Sequence, residues 1–297
     1  MKRRTFVKGT AGVTGGLTVA GCLGGSEGDG SETTEEMTGN ETSDSETTEE
    51  SSSVEGPIVI GSDIPYPPFE YRTESGDLTG FDVDIAKAIF EEEMSLGYEF
   101  KQTGFDTIIP SLKNDNFRVV MSAMTINDER SEQVDFSNPY FTAYQTVAIL
   151  ENGNIGQLDD LKGETVAVQK GTTGESAAEG LKEDFDGDLT LDSYDQITGA
   201  FNALLNNQAS AVINDNTVNA KYVNERDGVV FLEGEGEAAE NDEDAPPYLT
   251  LTVEEYGIAF RQDDDEFRQQ VNEALAAIRE SGRYDDIYGE YFESSSN

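Results

Sequence analysis

The chain has 297 residues, 36% of them apolar and 9% aromatic, which is enough for two ordinary domains with cores of their own. Its 61 acidic residues against 19 basic ones give a formal net charge of -42 and an isoelectric point near 4.1; such a surface repels phosphate backbones and excludes a nucleic-acid partner. One cysteine excludes an intrachain disulfide framework, and the absence of histidine excludes Ser-His-Asp catalysis and histidine-ligated zinc.

Residues 1–22 read MKRRTFVKGTAGVTGGLTVAGC and carry four of the basic residues (Lys2, Arg3, Arg4, Lys8) and no acidic one. The apolar stretch from Ala11 to Ala20 is too short to span a bilayer. Arg3-Arg4 followed by Phe6 and Lys8 resembles a twin-arginine export signal. Val19-Ala20-Gly21-Cys22 resembles a lipobox, so Cys22 is expected to become the lipidated first residue. Residues 23–56 are Gly, Ser, Thr, Glu and Asp with few apolar side chains. They cannot offset the entropy of ordering, so a self-repelling tether is expected there. Past Cys22, 15 basic residues face all 61 acidic ones, spread along the chain rather than gathered in a tail. Uniform charge of this size is destabilising unless salt screens it, which points to a protein of a halophile.

The body alternates strands and helices. Residues 57–61 (PIVIG) form a buried-strand pattern, and Phe81, Ile85, Ala88 and Ile89 recur at helical spacing through residues 80–93. Residues 98–101 predict a strand, 106–113 a helix, 119–123 a strand, and 146–150 a strand leaving this unit. A second run follows: strand 165–169, helix 176–182, strand 189–191, helix 197–206 and strand 211–213. Residues 233–247 read as an acidic surface loop, 256–260 as a strand, and Phe267, Val271, Ala274, Leu275 and Ile278 as one face of a terminal helix. This order predicts two α/β lobes, each a mostly parallel sheet flanked by helices. In open α/β sheets, ligands bind beyond the carboxyl ends of the strands. Asp63, Tyr66, Phe105, Ser122–Thr125, Gln169–Thr173 and Asn214-Asp215 all fall at such ends, polar groups interleaved with aromatic walls.

Seven segments in order carry a more specific likeness: SDIPYPPFEY (62–71), GFDVDIAKAI (80–89), FDTIIPSLK (105–113), MTINDERSEQVDFSNPY (124–140), GETVAVQKGTTGES (163–176), INDN (213–216) and GRYDDIYGEYF (282–292). Together they resemble extracellular solute-binding family 3, the amino-acid-binding proteins of ABC importers, and are similar to its glutamine- and lysine/arginine/ornithine-binding members. The resemblance implies a type II periplasmic-binding-protein-like fold. Lobe 1 would comprise residues 57–140 and 256–297 and lobe 2 residues 145–252, with a two-strand hinge near 140–144 and 253–256. With the charge balance it also points to a haloarchaeal source.

The resemblance implies the following roles. Arg130 would hold the ligand carboxylate with backbone N–H groups of Thr125 and Thr173. Asp215 would hold the ammonium with the Thr125 hydroxyl and the Ala123 carbonyl. Tyr66 and Phe105 would sandwich the ligand's stem, while Asp63, Ser122 and Gln169 face its distal end and Asn214 stands close by. A carboxylate at Asp63 suits an amide, an ammonium or a guanidinium and repels an acidic side chain. Glutamine, lysine or arginine would therefore fit. Gln169 and Asn214 depart from the lysine and histidine of glutamine binders.

The implied function is capture of an amino acid outside the cell by a monomeric lipoprotein, without cofactor or metal, and delivery to an ABC permease and its ATPase. A dehydratase-like enzyme on the same fold and a sensory ligand-binding module are the alternatives. The enzyme is disfavoured by the lack of histidine and of an extra catalytic domain after Tyr291, the sensory module by the lack of a second membrane segment or signalling domain before Asn297. One consequence of the charge is testable directly. The Debye length grows from about 3 Å at 1 M salt to about 10 Å at 0.1 M. Dilution from molar to 0.1 M salt should lower the melting temperature; a Tm constant over that range would contradict the halophilic reading.

Overall fold

The fold begins with an apolar run: β1 (Ile58–Ser62) buries every side chain except the half-buried Val59. A two-residue-per-strand hairpin follows, β2 (Tyr71–Arg72) with β3 (Leu78–Thr79). Gly80 then turns the chain into α1 (Phe81–Ala86), which widens into a π-helical stretch, Lys87–Glu93. The turn demands glycine: φ is +134°, and a Cβ there would lie 2.1 Å from the Phe69 carbonyl oxygen. β4 (Tyr98–Gln102), a 3-10 turn at Phe105–Thr107 running into α2 (Ile108–Lys113), and β5 (Val119–Val120) complete the first βαβα unit. After α3 (Asp128–Ser131) and β6 (Asp135–Phe136) comes the longest strand, β7 (Phe141–Leu150).

β7 leads into a second unit: β8 (Thr165–Gln169), α4 (Thr173–Asp184), β9 (Thr190–Tyr194), α5 (Ile197–Leu205), β10 (Ala211–Asp215), α6 (Asn216–Glu225) and β11 (Val229–Phe231). β12 (Thr250–Tyr256) and β13 (Ala259–Phe260) return to the first unit, which α7 (Asp265–Glu280) and α8 (Arg283–Tyr288) close. This description comes from a computed structural model and covers residues 56–234, 236 and 246–293. The export signal with Arg3, Arg4 and Cys22, the tether through residue 55, and residues 235 and 237–245 of the acidic loop lie outside it. The described residues belong to one unit, Ser53–Asn297.

Two sheets result. The first has the order β4-β1-β5-β13-β6, the second β11-β7-β10-β8-β9 with β12 also on β7. Each is parallel where the βαβ crossovers built it, at β4-β1-β5 and at β9-β8-β10. Each is antiparallel where the connecting strands join, so both sheets are mixed. The reason is geometric: β7 and β12 run between the sheets in opposite directions as one ribbon, with Ala143 opposite Glu254 and Phe141 opposite Tyr256. The expected strand at 256–260 is consequently two strands broken at Gly257-Ile258, and the strand expected at 146–150 begins five residues earlier.

Packing follows the sequence pattern. Phe267, Val271, Ala274, Leu275 and Ile278 are all buried on one face of α7, with Phe267 stacked 6.2 Å from Phe90. Burial of each large apolar side chain contributes about 1.5–3 kcal/mol. At the foot of the ribbon, Phe141 lies 5.1 Å from Phe69, 5.4 Å from Phe81, 5.5 Å from Tyr256 and 5.0 Å from Phe292 (ring centroids). This aromatic cluster fixes the root of both connecting strands to lobe 1. Buried Gln145, midway along β7, and buried Glu254, two residues before the end of β12, are polar residues of this ribbon.

Candidate functional site

The carboxyl ends of β1, β5, β8 and β10 converge on one narrow cavity. Asp63, Tyr66, Phe105, Ser122, Ala123, Thr125, Arg130, Gln169, Thr172, Thr173 and Asp215 line it. All eleven fall among the positions expected from sequence; Thr172, within Gln169–Thr173 but given no ligand role there, caps α4 by accepting from the Glu175 N–H. Asn214 is set one layer back: its Oδ1 accepts from the Tyr66 hydroxyl at 2.9 Å.

Arg130 is 7% exposed, not a solvated helix start, although its N–H is capped by Asn127 Oδ1. Its guanidinium donates to the Thr125 carbonyl from one lobe at 2.7 Å and to the Gly171 carbonyl from the other at 3.1 Å. The ring of Phe105 lies 5.2 Å from its Cζ. Among the described residues it takes part in none of the ion pairs. Burial holds its pKa below the ordinary value, against the pull of Glu254 and Asp215. A cation this deep with neutral partners is an anion receptor.

Gly171 permits that inter-lobe bond. Its φ is +73°, and a Cβ would sit 3.0 Å from the Asp106 Cα of the facing lobe.

Asp215 occupies the N-cap position of α6, yet its side chain makes no capping bond. It turns into the cavity instead, where Oδ2 accepts from the Tyr66 hydroxyl at 2.5 Å and Oδ1 from the Gln145 amide. Burial first, then the nearby Glu254, raise its pKa to about 7. At the opposite end Asp63 Oδ2 accepts from the Gln169 amide, and its N–H donates to Ser122 Oγ at 2.9 Å. Burial raises this carboxyl to about 6. Asp63 Oδ1 and Gln169 Oε1 are both buried and accept no hydrogen bond. That end of the cavity is therefore short of donors.

The wall beneath Ser122 and Ala123 is held by a second buried acid pair. Ala123 has φ of 45°, a conformation that costs a non-glycine residue about 1 kcal/mol or more. Its N–H donates to Asp82 Oδ2 at 2.9 Å, and both Asp82 oxygens accept from the Tyr140 hydroxyl at 2.9 Å. Ser122 donates to Glu70 Oε1 at 2.7 Å. Burial, and then Asp82, push Glu70 well above the carboxylate range, while burial raises Asp82 to about 6.

Two side chains absent from the expected set complete the site. Gln145 on β7 donates to Asp215, to Thr173 Oγ1 at 3.2 Å and to Glu254 Oε2 at 3.3 Å. Glu254 on β12, buried like Gln145, also accepts from the hydroxyls of Thr125 and Thr173. Both lie on the connecting ribbon.

Comparison with known proteins places this geometry. The family described as bacterial extracellular solute-binding proteins, family 3, matches residues 58–294. A probable histidine-binding protein of Neisseria gonorrhoeae is 32% identical over 78% of this chain and 82% of its own. The L-arginine-binding protein of Pseudomonas aeruginosa is 33% identical over 81% of this chain and 89% of its own. Among solved structures, an ancestral arginine-binding protein bound to arginine superposes with a TM-score of 0.70 at 36% identity, covering 80% of this chain and 98% of the other.

The raised carboxyls give a pH dependence of definite sign. In the free protein Asp215 and Asp63 keep protons up to about pH 7 and pH 6. This protonation favours the unliganded fold at low pH, and that contribution is lost as pH rises through those values. A cationic guest such as L-arginine favours the ionised carboxylates and so releases protons. Its affinity should rise between pH 5 and pH 8, by up to about tenfold per pH unit for each proton released. Calorimetry in two buffers of different ionisation enthalpy reads both effects; a flat affinity with no proton release would refute the assignment.

Proposed function

The chain belongs to the bacterial extracellular solute-binding proteins of family 3, and from that membership we propose that it captures a polar or basic L-α-amino acid in this cavity for an ABC importer. The buried Arg130, its guanidinium bonded only to carbonyl oxygens, carries the reading together with the buried Asp215: two opposite charges lining one cavity suit a zwitterion. Arg130, with the backbone N–H groups of Thr125 and Thr173, takes the ligand carboxylate. Asp215, the Thr125 hydroxyl and the Ala123 carbonyl take the ammonium. Tyr66 and Phe105 enclose the stem. Asp63, Ser122 and Gln169 take the distal group, and Asn214 supports Tyr66.

The two unpartnered acceptors at that distal end call for several N–H donors. Arginine supplies them best, in keeping with the arginine-binding relatives; lysine, histidine and glutamine are the runners-up. The lobes, 57–140 with 256–297 and 145–252, close on ligand about the ribbon at 140–144 and 253–256. The permease distinguishes the closed form, and the ligand is released unchanged rather than turned over. The protein acts as a monomer outside the cell, held to the membrane by a lipid on Cys22 after export through the Arg3-Arg4 signal.

Calorimetric titration with arginine, lysine, histidine and glutamine tests the site. Truncating one member of a buried charge pair costs roughly 2–5 kcal/mol, about 30-fold to several thousand-fold in affinity. Arg130→Ala and Asp215→Ala should weaken every accepted amino acid alike, whereas Asp63→Asn should reorder the panel. Wild-type affinity in either alanine variant, or a uniform loss for Asp63→Asn, would show the ligand to be misplaced. The anchor has its own test: Cys22→Ser should shift the protein from the membrane to the medium, and unchanged membrane association would remove the lipid from the proposal.

A further inference from the structure

Glu254 stands on β12 of the ribbon that joins the lobes, and it is 6% exposed. The strand is inverted there relative to ordinary patterning: Val253 is 44% exposed while the adjacent glutamate points inward. A buried acid is costly unless donors surround it, and Glu254 has them. Oε1 accepts from Thr252 Oγ1 on its own strand at 3.1 Å. Oε2 accepts from Thr125 Oγ1 at 2.6 Å, from Thr173 Oγ1 at 2.8 Å and from Gln145 Nε2 at 3.3 Å. Thr125 belongs to lobe 1 and Thr173 opens α4 of lobe 2, so one oxygen gathers a hydroxyl from each side of the cavity.

A threonine hydroxyl has one proton and two lone pairs. With both protons committed to Glu254, Thr125 and Thr173 offer only lone pairs to anything else in the cavity. Their hydroxyls can accept from an ammonium and cannot donate to a carboxylate. The same carboxylate adds negative potential beside Asp215, to which it is also linked through the shared Gln145 amide. The donor group at Arg130 and the acceptor group at Asp215 are thus kept distinct, which a zwitterion with both charges on one carbon requires.

We propose that Glu254 is a positioning residue for α-ammonium recognition: by fixing the Thr125 and Thr173 hydroxyls as acceptors across the closed cleft, it makes the site select an α-amino acid over the same molecule without its amine. The proposal rests on the placement of the ammonium at Asp215 given above, and it assigns to the ribbon a part in specificity in addition to joining the lobes.

The test compares an amino acid with its 2-hydroxy analogue, which keeps the carboxylate and the side chain and replaces the ammonium by a hydroxyl. L-Arginine, L-histidine and L-glutamine are titrated into the wild-type protein, and the tightest binder and its 2-hydroxy analogue are carried through the variants. Glu254→Leu removes both the acceptor and the charge. Glu254→Gln keeps one acceptor oxygen, removes the charge and replaces the other oxygen by an N–H donor. Hydrogen bonds to charged groups set the scale, so Glu254→Leu should reduce the ratio of the two affinities by about 10- to 100-fold. Almost all of that change should fall on the amino acid, with the hydroxy analogue unaffected.

Glu254→Gln should lie between the two, with a reduction of about threefold or more, and it carries the test alone if the leucine variant does not fold. A merely structural role would weaken both compounds equally and leave the ratio unchanged. A glutamate that competes with the ligand carboxylate for Arg130 would, on removal, strengthen both. Either result overturns the proposal. If it fails while Arg130→Ala and Asp215→Ala abolish binding, the amino-acid site stands and only the role of Glu254 falls. If none of the three amino acids binds the wild-type protein, the site reading falls and this proposal with it.

Discussion

Desolvation of charge governs this site. The cavity gathers the carboxyls of Asp63 and Asp215 and the guanidinium of Arg130, with the Glu254 carboxyl behind the Thr125 and Thr173 hydroxyls, all of them buried. Burying an ion without a partner is prohibitive, so each must be satisfied by a dipole, by another ion or by a shift toward its neutral form. Here the first and the last occur. Carbonyl oxygens hold Arg130, amides and hydroxyls hold the acids, and Asp215 and Asp63 carry raised pKa values. A zwitterion with a cationic tail would replace these compromises by direct charge pairing. It would draw on both ends of the cavity at once, so that any closure of the lobes would share one equilibrium with binding.

The rest of the architecture serves that requirement. Charges can be opposed across a cleft only if two rigid bodies present them, and the two sheets do so at their carboxyl edges. The strained backbone of Ala123 is kept in place by Asp82, whose own burial is met by Tyr140. The chain of dependence thus runs from the cavity wall through the Asp82 carboxylate to Tyr140. Tyr140 in turn lies immediately before β7 and packs 6.3 Å from Tyr256, the last residue of β12. The ligand wall of lobe 1 and the root of the ribbon share one buried network, so movement of one is not independent of the other.

Much of this was legible in the sequence, for identifiable reasons. The helical face of α7 and the apolar run of β1 follow from periodicity alone. The site residues at strand ends follow from the α/β rule together with the seven ordered segments. Arg130 and Asp215 each had an ordinary alternative, a helix start and a helix cap; burial of the first and the uncapped side chain of the second exclude those alternatives. Gln145 and Glu254 were not legible as site residues because their role depends on strand pairing. In TLTVEEY (250–256) the alternation could have given a clue: Thr250, Glu254 and Tyr256 are buried while Val253 and Glu255 are exposed, so the glutamate shares the inward face of the tyrosine. Read without its partner strand, the segment offers an inward valine as readily. The mixed character of both sheets was hidden for the same reason, since antiparallel entry of β7 and β12 is a fact about the connection rather than about either strand.

The surface and the site obey different electrostatics. A net charge of -42 would attract a cationic amino acid from a distance in dilute solution. In molar salt the Debye length is about 3 Å and that attraction does not reach past the first layer of solvent. Steering then contributes little, and neither capture nor discrimination can depend on the acidic exterior. Buried charges are screened far less than exposed ones. The charges that decide what binds must therefore be those placed beyond the reach of salt, and Arg130, Asp215, Asp63 and Glu254 are all buried. On this view the exterior and the cavity carry acid for separate reasons: one for solubility in brine, the other for recognition of a cation.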